Sequence, residues 1–420
     1  MTQTRELLLK YDRWIQSSPN TPATTSKRLP DGRVPSSADI RANPALANNA
    51  TASYSNATAI SIAEAGYENF MNVTSDVLSA VAKNVFTAHK AAVEAGILDF
   101  SESGYIRYVL DNDPNITDQI DSLNDVHDSW YYDSLYFSAT DWRTIDKGLT
   151  SLPRAFGPLV MNRTIFHTSV QEVHYNSSTD KVTVGWRSDD PFETKPTTME
   201  FDYLITAVPF TAVRLWRTPA YSSLLSRAIN TMNYAPSCKI ALHYKTRFWE
   251  NLSPPILGGC GSTDIPGVGS VCYPSYQINS TGPGVLLASY LSSTTTRSVA
   301  ALSDIAHVSL IQRAMIEIHG PIAASEFTGS YDRHCWEHDP YEMGAWCAPA
   351  AGQQALYLPA YFKTEFKTVF VGEHTSYTHA WIWSALESAV RGTTQLLLDM
   401  GLVDEAKEIT NLWMARWIAM

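Results

Sequence analysis

A chain of 420 residues is longer than one hydrophobic core commonly supports, so two or three domains are expected. With 45% hydrophobic and 17% charged residues it reads as globular, and a net charge of −11 argues against nucleic acid or an anionic membrane surface as a partner. No stretch approaches the ~20 apolar residues that a membrane-crossing helix needs, so no membrane partner is expected.

Arg5 to Ile15 has helical spacing, and Ser17 to Thr58, rich in Ser, Thr, Asn, Ala and Pro, reads as a long surface segment. From Ala59 to Leu98 apolar residues recur at helical spacing, with Gly96 as the stop. Ile116 to Leu135 is a further amphipathic stretch with an acidic polar face. Asn49, Asn56, Asn72, Asn115, Asn162, Asn176, Asn251 and Asn279 open N-x-S/T sequons, more than chance readily supplies. They lean toward a secreted glycoprotein, whereas Met1 to Trp14 holds no signal-peptide hydrophobic run. The five cysteines show neither CxxC nor metal-ligand spacing, and one disulfide or none is expected.

Ile165 to Tyr175 and Lys181 to Trp186 alternate as a hairpin does. Phe201 to Pro209 reads as a buried strand ended by proline, and Ser237 to Tyr244 alternates again. Lys239 lies between apolar residues of that strand, where burial costs several kcal/mol unless the ammonium is paired or hydrated. Gly284 to Tyr290 is another strand. His334, His338 and Asp339 match no strong ligand pattern, so no metal is expected. From Thr368 to Met400 the run Val369–Val371 has the character of a buried strand, Gly372 ends it, and Glu373 places a carboxylate at its end. An aromatic turn, His379 to Trp383, leads into a helix with apolar residues at Ala385, Leu386, Ala389, Leu396 and Leu397. In α/β sheets ligands gather at the carboxyl ends of strands, and a helix N-terminus suits an anion. A capping glutamate at a buried strand–helix corner accounts for the same residues.

The order V-G-E-H-T…H-A-W-I…A-L-E-S-A…R-G, from Val371 to Gly392, resembles the C-terminal FAD-binding segment of flavin-dependent amine oxidases, most closely the L-amino-acid oxidases. The resemblance implies an α/β fold with α+β mixing: an incomplete, doubly wound FAD-binding domain, a mixed-sheet substrate domain and a helical domain. Trp142 to Leu149, then Leu152-Pro153, looks like the family's turn back from helical to FAD domain, with Lys147 where glycine is usual. The implied divisions are residues 1–140, helical with a Ser/Pro-rich insert; 141–230, the middle of the FAD domain; 231–340, the substrate domain; and 341–420, the return to the FAD domain with C-terminal helices.

Carried over residue by residue, FAD is the implied cofactor, held by Val170 (backbone to adenine), Glu373, Ala380, Trp381, Ile382, Trp383, Ser384 and Ala385. Lys239 matches the family's lysine that holds a water beside the flavin and is the implied catalytic residue. Tyr290, Trp336, Trp346, Ala380 and Trp381 are the implied substrate contacts; the carboxylate-binding position falls on Ser289 or Tyr290, and Tyr290 is chosen as the phenol. The family's opening G-x-G-x-x-G has no counterpart near the N-terminus, and the G-x-x-R-x-P echoes at Arg28-Leu29-Pro30 and Arg33-Val34-Pro35 read as coincidence. The implied activity is oxidative deamination of an L-amino acid by O2. A related amine or polyamine oxidase, or a truncated inactive relative, stays open. The chain alone is expected to bind FAD poorly, and a homodimer or a second chain supplying the N-terminal FAD-binding segment stands as the expected partner.

Overall fold

The computed structural model describes residues 85–112, 145–188, 190–263, 265–292 and 295–414. The expected helices at Arg5 to Ile15 and Ile116 to Leu135, the segment Ser17 to Thr58, both R-x-P echoes, the start of the Ala59 to Leu98 stretch and Trp142 to Thr144 lie outside these residues. The chain divides into two compact units: a first unit of residues 1–72, 103–127 and 234–345, and a second of 73–102, 128–233 and 346–420.

The described part of the second unit opens with helix α1, Val85–Glu94, which stops at Gly96 in the left-handed region (φ 70°), as expected. Leu98 follows, buried. Strands β1 (Ser169–Asn176), β2 (Lys181–Arg187) and β3 (Thr197–Phe201) form an antiparallel sheet with Val173, Val182 and Val184 on its buried side. The hairpin begins later than its alternation suggests, because Ile165 and Phe166 are exposed ahead of β1.

Phe201 to Pro209 is not one buried strand. Phe201 ends β3, while Leu204–Thr206 forms β4, which pairs in parallel with the later strand at 368–370. Ile205 is 41% exposed, and β4 has a hydrogen-bonded neighbour on one side only among the described residues. Pro209 starts a short helix, Phe210–Val213, where its missing N–H costs nothing. Helix α2, Ser223–Thr231, is capped by the Ser222 hydroxyl, which accepts the Leu225 N–H, and buries Leu225, Ala228 and Ile229.

In the first unit, β5 (Tyr234–Ala235) precedes β6 (Cys238–Tyr244), β7 (Gly259–Ser262), β8 (Ser270–Tyr273), β9 (Gly284–Leu291) and, beyond helix α3 (Asp304–His319), β10 (Phe327–Cys335). The sheet order is β10-β6-β9-β8-β7, and all these pairs are antiparallel. Where a mixed sheet was expected, the parallel contribution is one isolated bridge between Gly269 and Tyr290. The alternation of β6 sends Ile240, Leu242 and Tyr244 into a core with Leu286 of β9 and with Val308, Ile311 and Met315 of α3. Burial of each such side chain contributes ~1.5–3 kcal/mol, which makes this layer the unit's main source of stability.

Two disulfides correct the expectation of one or none: Cys238–Cys335 joins directly opposed residues of β6 and β10, and Cys260–Cys272 does the same for β7 and β8. The partners of the first lie 97 residues apart and meet only through strand pairing.

Back in the second unit come β11 (Trp346–Cys347), β12 (Thr368–Phe370), helix α4 (Ile382–Asp399) and helix α5 (Val403–Ile409). β12 is wholly buried. The buried face of α4 is Ser384, Glu387, Ser388, Arg391 and Gly392, at the i, i+3, i+4, i+7, i+8 spacing of a helical stripe. The helix is therefore as expected, but its buried stripe is polar and small, and Leu386 is exposed. Gly392 is the point of closest approach: a Cβ there would meet Val371 Cγ1 at 2.3 Å. Glycine to alanine inside a helix ordinarily stabilises by about 1 kcal/mol, but overpacking of ~1–3 kcal/mol opposes it here. Gly392→Ala is expected to lower the denaturant midpoint, and a raised midpoint would show that the helix–strand contact yields. Among the described residues no helix is long and apolar enough to cross a membrane.

Candidate functional site

In the second unit the site is built on the end of β12. Gly372 has φ 121° and so turns the chain where a side chain is strained; a Cβ there would sit 2.4 Å from the His374 ring. Its N–H donates to Ser388 Oγ (2.8 Å), whose hydroxyl donates in turn to the Ala385 carbonyl (2.7 Å). Glu373 follows in a single 3-10 turn, Glu373–Thr375. One carboxylate oxygen accepts the Cys347 N–H (2.8 Å) and the other the Ala380 N–H (2.9 Å). The side chain thus ties β11 to the residue two before α4. Ala380 has φ 67°, left-handed for a residue with a Cβ, and the Glu373 bond stands over that strained position.

Burial works against the Glu373 charge, but His379 and His374 and the Ala380 N–H outweigh it and hold the carboxyl below the ordinary carboxylate range. His374 is buried against the edge of Phe210 (4.4 Å), and burial pushes its imidazole down to about 4. Beneath the turn, Arg391 donates from Nη1 to the Tyr361 carbonyl (2.5 Å) and Gln395 Oε1 (2.5 Å). From Nη2 it donates to the Phe370 carbonyl (2.9 Å) and Thr375 Oγ1 (2.8 Å). Glu387, whose carboxyl is raised by burial, accepts the Ser376 hydroxyl at 2.6 Å.

Trp381 is the residue before α4, and Ile382 to Ala385 form the helix's first turn. That turn has no side-chain cap and no acidic residue, so its partial positive charge is not answered by a side chain of its own. Ser384 is buried and shares a hydrogen bond with the Thr378 hydroxyl (2.8 Å); Ile382 and Ala380 are exposed, and Trp381, Trp383 and Ala385 are half-buried. Glu373, Ala380, Trp381 and the start of α4 are therefore brought together. Trp346 joins them through its neighbour Cys347. Val170 lies on a different sheet of this unit, paired with Trp186 beside a bulge in β1.

In the first unit the pleat sets His334 of β10, Lys239 of β6, Tyr290 of β9 and Ser270 of β8 opposite one another in a row across four strands. Ser289 is buried and donates to the Val268 carbonyl (2.7 Å), while Tyr290 is 37% exposed. Burial raises the Tyr290 phenol, and the Ser237 hydroxyl opposes that rise. Lys239 is half-buried, with Nζ 5.1 Å from the centre of the Trp336 ring, an arrangement in which the ring face attracts the ammonium. Trp336 meets the edge of His334 at 4.7 Å, and His334 Nε2 lies 3.4 Å from Asp339 Oδ2. Lys239, Tyr290 and Trp336 are thus assembled in the first unit, whereas Trp346 belongs to the second. Among the described residues no group of three or more His, Cys, Asp or Glu side chains could hold a metal.

Sequence reasoning gave no role to Gln354, His379 or Arg391 of the second unit, although the last two stand in the motif it used, and it weighed His334 and Asp339 of the first only as metal ligands.

Residues 89–397 match the family of flavin-containing amine oxidoreductases. The chain is 41% identical to an L-amino-acid oxidase of Neurospora crassa over 99% of its own length and 61% of that protein's. It is 30% identical to an L-amino-acid oxidase of Siganus canaliculatus, over 68% of this chain and 52% of that one. It therefore spans between about half and about three-fifths of the length of these two relatives. A solved double mutant of putrescine oxidase shares the fold, with TM-score 0.58 at 15% identity over 85% of this chain and 76% of that one.

Proposed function

This chain belongs to the flavin-containing amine oxidoreductase family, and we propose that it forms the larger part of an FAD-dependent L-amino-acid oxidase. The observation that carries this reading is the Glu373 junction: a pinned carboxylate at a strand end, a tryptophan, and a helix start without a cap. That donor set fits the ribose and ring portions of FAD. No G-x-G-x-x-G occurs in the sequence to cradle the pyrophosphate.

When bound, FAD would supply a two-electron acceptor for the hydride of the substrate Cα while the amino group gives up a proton, and O2 would take up the two electrons and two protons as hydrogen peroxide; water would convert the resulting imine to the 2-oxo acid and ammonia. Glu373, Ala380 and Trp381 would hold and flank the cofactor, and the first turn of α4 would offer it positive charge. Lys239, held against Trp336, keeps an ammonium available to orient a water. Tyr290 offers its phenol to the substrate carboxylate. Trp336, in the same unit as Lys239 and Tyr290, presents its ring to the substrate side chain.

Among the described residues β4 pairs on one side only, and Ile205 on it is exposed. A parallel strand followed by a glycine-rich turn, carried by a longer reading frame or a second chain, would extend this sheet. The chain alone is expected to leave FAD unbound after gel filtration; adding that segment restores bound flavin absorbance and peroxide formation with L-amino acids. Stoichiometric flavin on the unsupplemented chain would overturn the first expectation. Absence of peroxide with every L-amino acid after restoration would overturn the oxidase.

A secretory route is also proposed. Two disulfides suit an oxidising compartment, and the sequon residues Asn162, Asn176, Asn251 and Asn279 are all exposed. Protein from its own host should gain mobility on gels after endoglycosidase treatment, and an unchanged band would reject this.

A further inference from the structure

Both ring nitrogens of His379 face oxygen atoms that can only accept. Nδ1 lies 2.9 Å from the Glu373 backbone carbonyl, and Nε2 lies 2.8 Å from Gln354 Oε1. The Gln354 amide is not free to reverse, because its Nε2 donates to the Tyr377 carbonyl at 2.9 Å; turned over, it would set oxygen against oxygen. A neutral imidazole has one N–H, so one of the two short contacts would bring lone pairs together in a site where the ring is 1% exposed. Only the doubly protonated ring satisfies both.

We propose that His379 is a positioning residue held doubly protonated at neutral pH, a buried imidazolium that acts as the internal counter-charge of Glu373. The Glu373 carboxylate provides the countering charge, with Oε2 3.7 Å from Nδ1. The other titratable groups facing the ring are the Cys347 side chain on β11, which is hydrogen-bonded to it, and His374 in the turn. Burial opposes the charge on His379, but Cys347 and Glu373 outweigh it and raise the imidazole well above its ordinary value, in line with the contacts.

The consequence for the site rests on the cofactor reading given above. Glu373 accepts the Ala380 N–H just ahead of α4, where an uncompensated anion would absorb the helix's positive end. Paired with His379, it holds the turn while adding no net charge. The uncapped first turn therefore keeps its positive potential for an anionic ligand.

The test is long-range 15N–1H correlation on the full chain labelled with 15N-histidine, from about pH 5 to about pH 9, bracketing the ordinary imidazole value of ~6.5. One histidine is expected to keep protons on both nitrogens above about pH 8, well past that value. In Glu373→Gln that signal should titrate within the window, because its counter-charge is gone. If every histidine in the unmodified chain becomes neutral below about pH 8, the proposal fails, and no variant is needed to see it. The same follows if Glu373→Gln folds and the signal does not move. These readouts need no flavin, so a failure of FAD binding leaves them intact and is seen separately.

Discussion

Replacing Glu373 by alanine is expected to lower the unfolding free energy by about 3–5 kcal/mol, the range for breaking a buried charge pair by removing one partner. Three groups lose their partner at once: the N–H groups of Cys347 and Ala380 and the charge on His379. Glutamine should cost less, since its one carbonyl can serve one N–H but no cation. Denaturant midpoints of the three proteins measure this, and equal midpoints for alanine and the parent would mean that the turn stands without its carboxylate.

The pH dependence has a definite sign. The Glu373 carboxyl is held below its ordinary value in the folded chain, so its contribution is full above the unfolded value of ~4.3 and is lost as pH falls through the folded one. His379 is shifted upward, so its contribution is full below ~6.5 and is lost as pH rises through the folded value. The pair therefore contributes most between those limits. In Glu373→Ala the acid-side loss should be reduced.

Arg391→Ala is expected to be as damaging, about 3–5 kcal/mol, because a guanidinium 3% exposed serves four acceptors. Two of these are the carbonyls of Tyr361 and Phe370, which the planar fork reaches from Nη1 and Nη2. Lysine keeps the charge but offers a compact ammonium in place of a planar five-donor group, so Arg391→Lys should recover only a minor share. Thermal melting of both variants checks the order; a lysine variant as stable as the parent would reduce the argument to charge alone.

What was legible in the sequence was what is local. The strand, glycine, glutamate and helix from Thr368 onward follow one another without interruption, and the alternation in β6 comes from one pleated strand. The periodicity of α4 was legible too, though not its orientation: the polar residues face inward because Arg391, Glu387 and Ser388 serve the turn's carbonyls, N–H and hydroxyl groups. The break between Phe201 and Leu204 was hidden because an apolar string looks the same whether it stays in one sheet or crosses to another. The row from His334 to Ser270 and the placement of Gln354 beside His379 depend on pairing across 20 or more residues, which spacing along a chain does not encode.

The two disulfides of the first unit share a placement. β10 and β7 are the outermost strands of the five, and each is bonded through sulfur to the strand inside it. Margins are where a sheet ordinarily frays and where foreign strands add on. With both hems stitched, peeling from either side must carry an inner strand along, so amide exchange across β6 to β9 should report opening of the whole layer. Cys238 and Cys335 are also sequence neighbours of Lys239 and His334, so the stitch that stops the margin from fraying keeps the ammonium and imidazole in register.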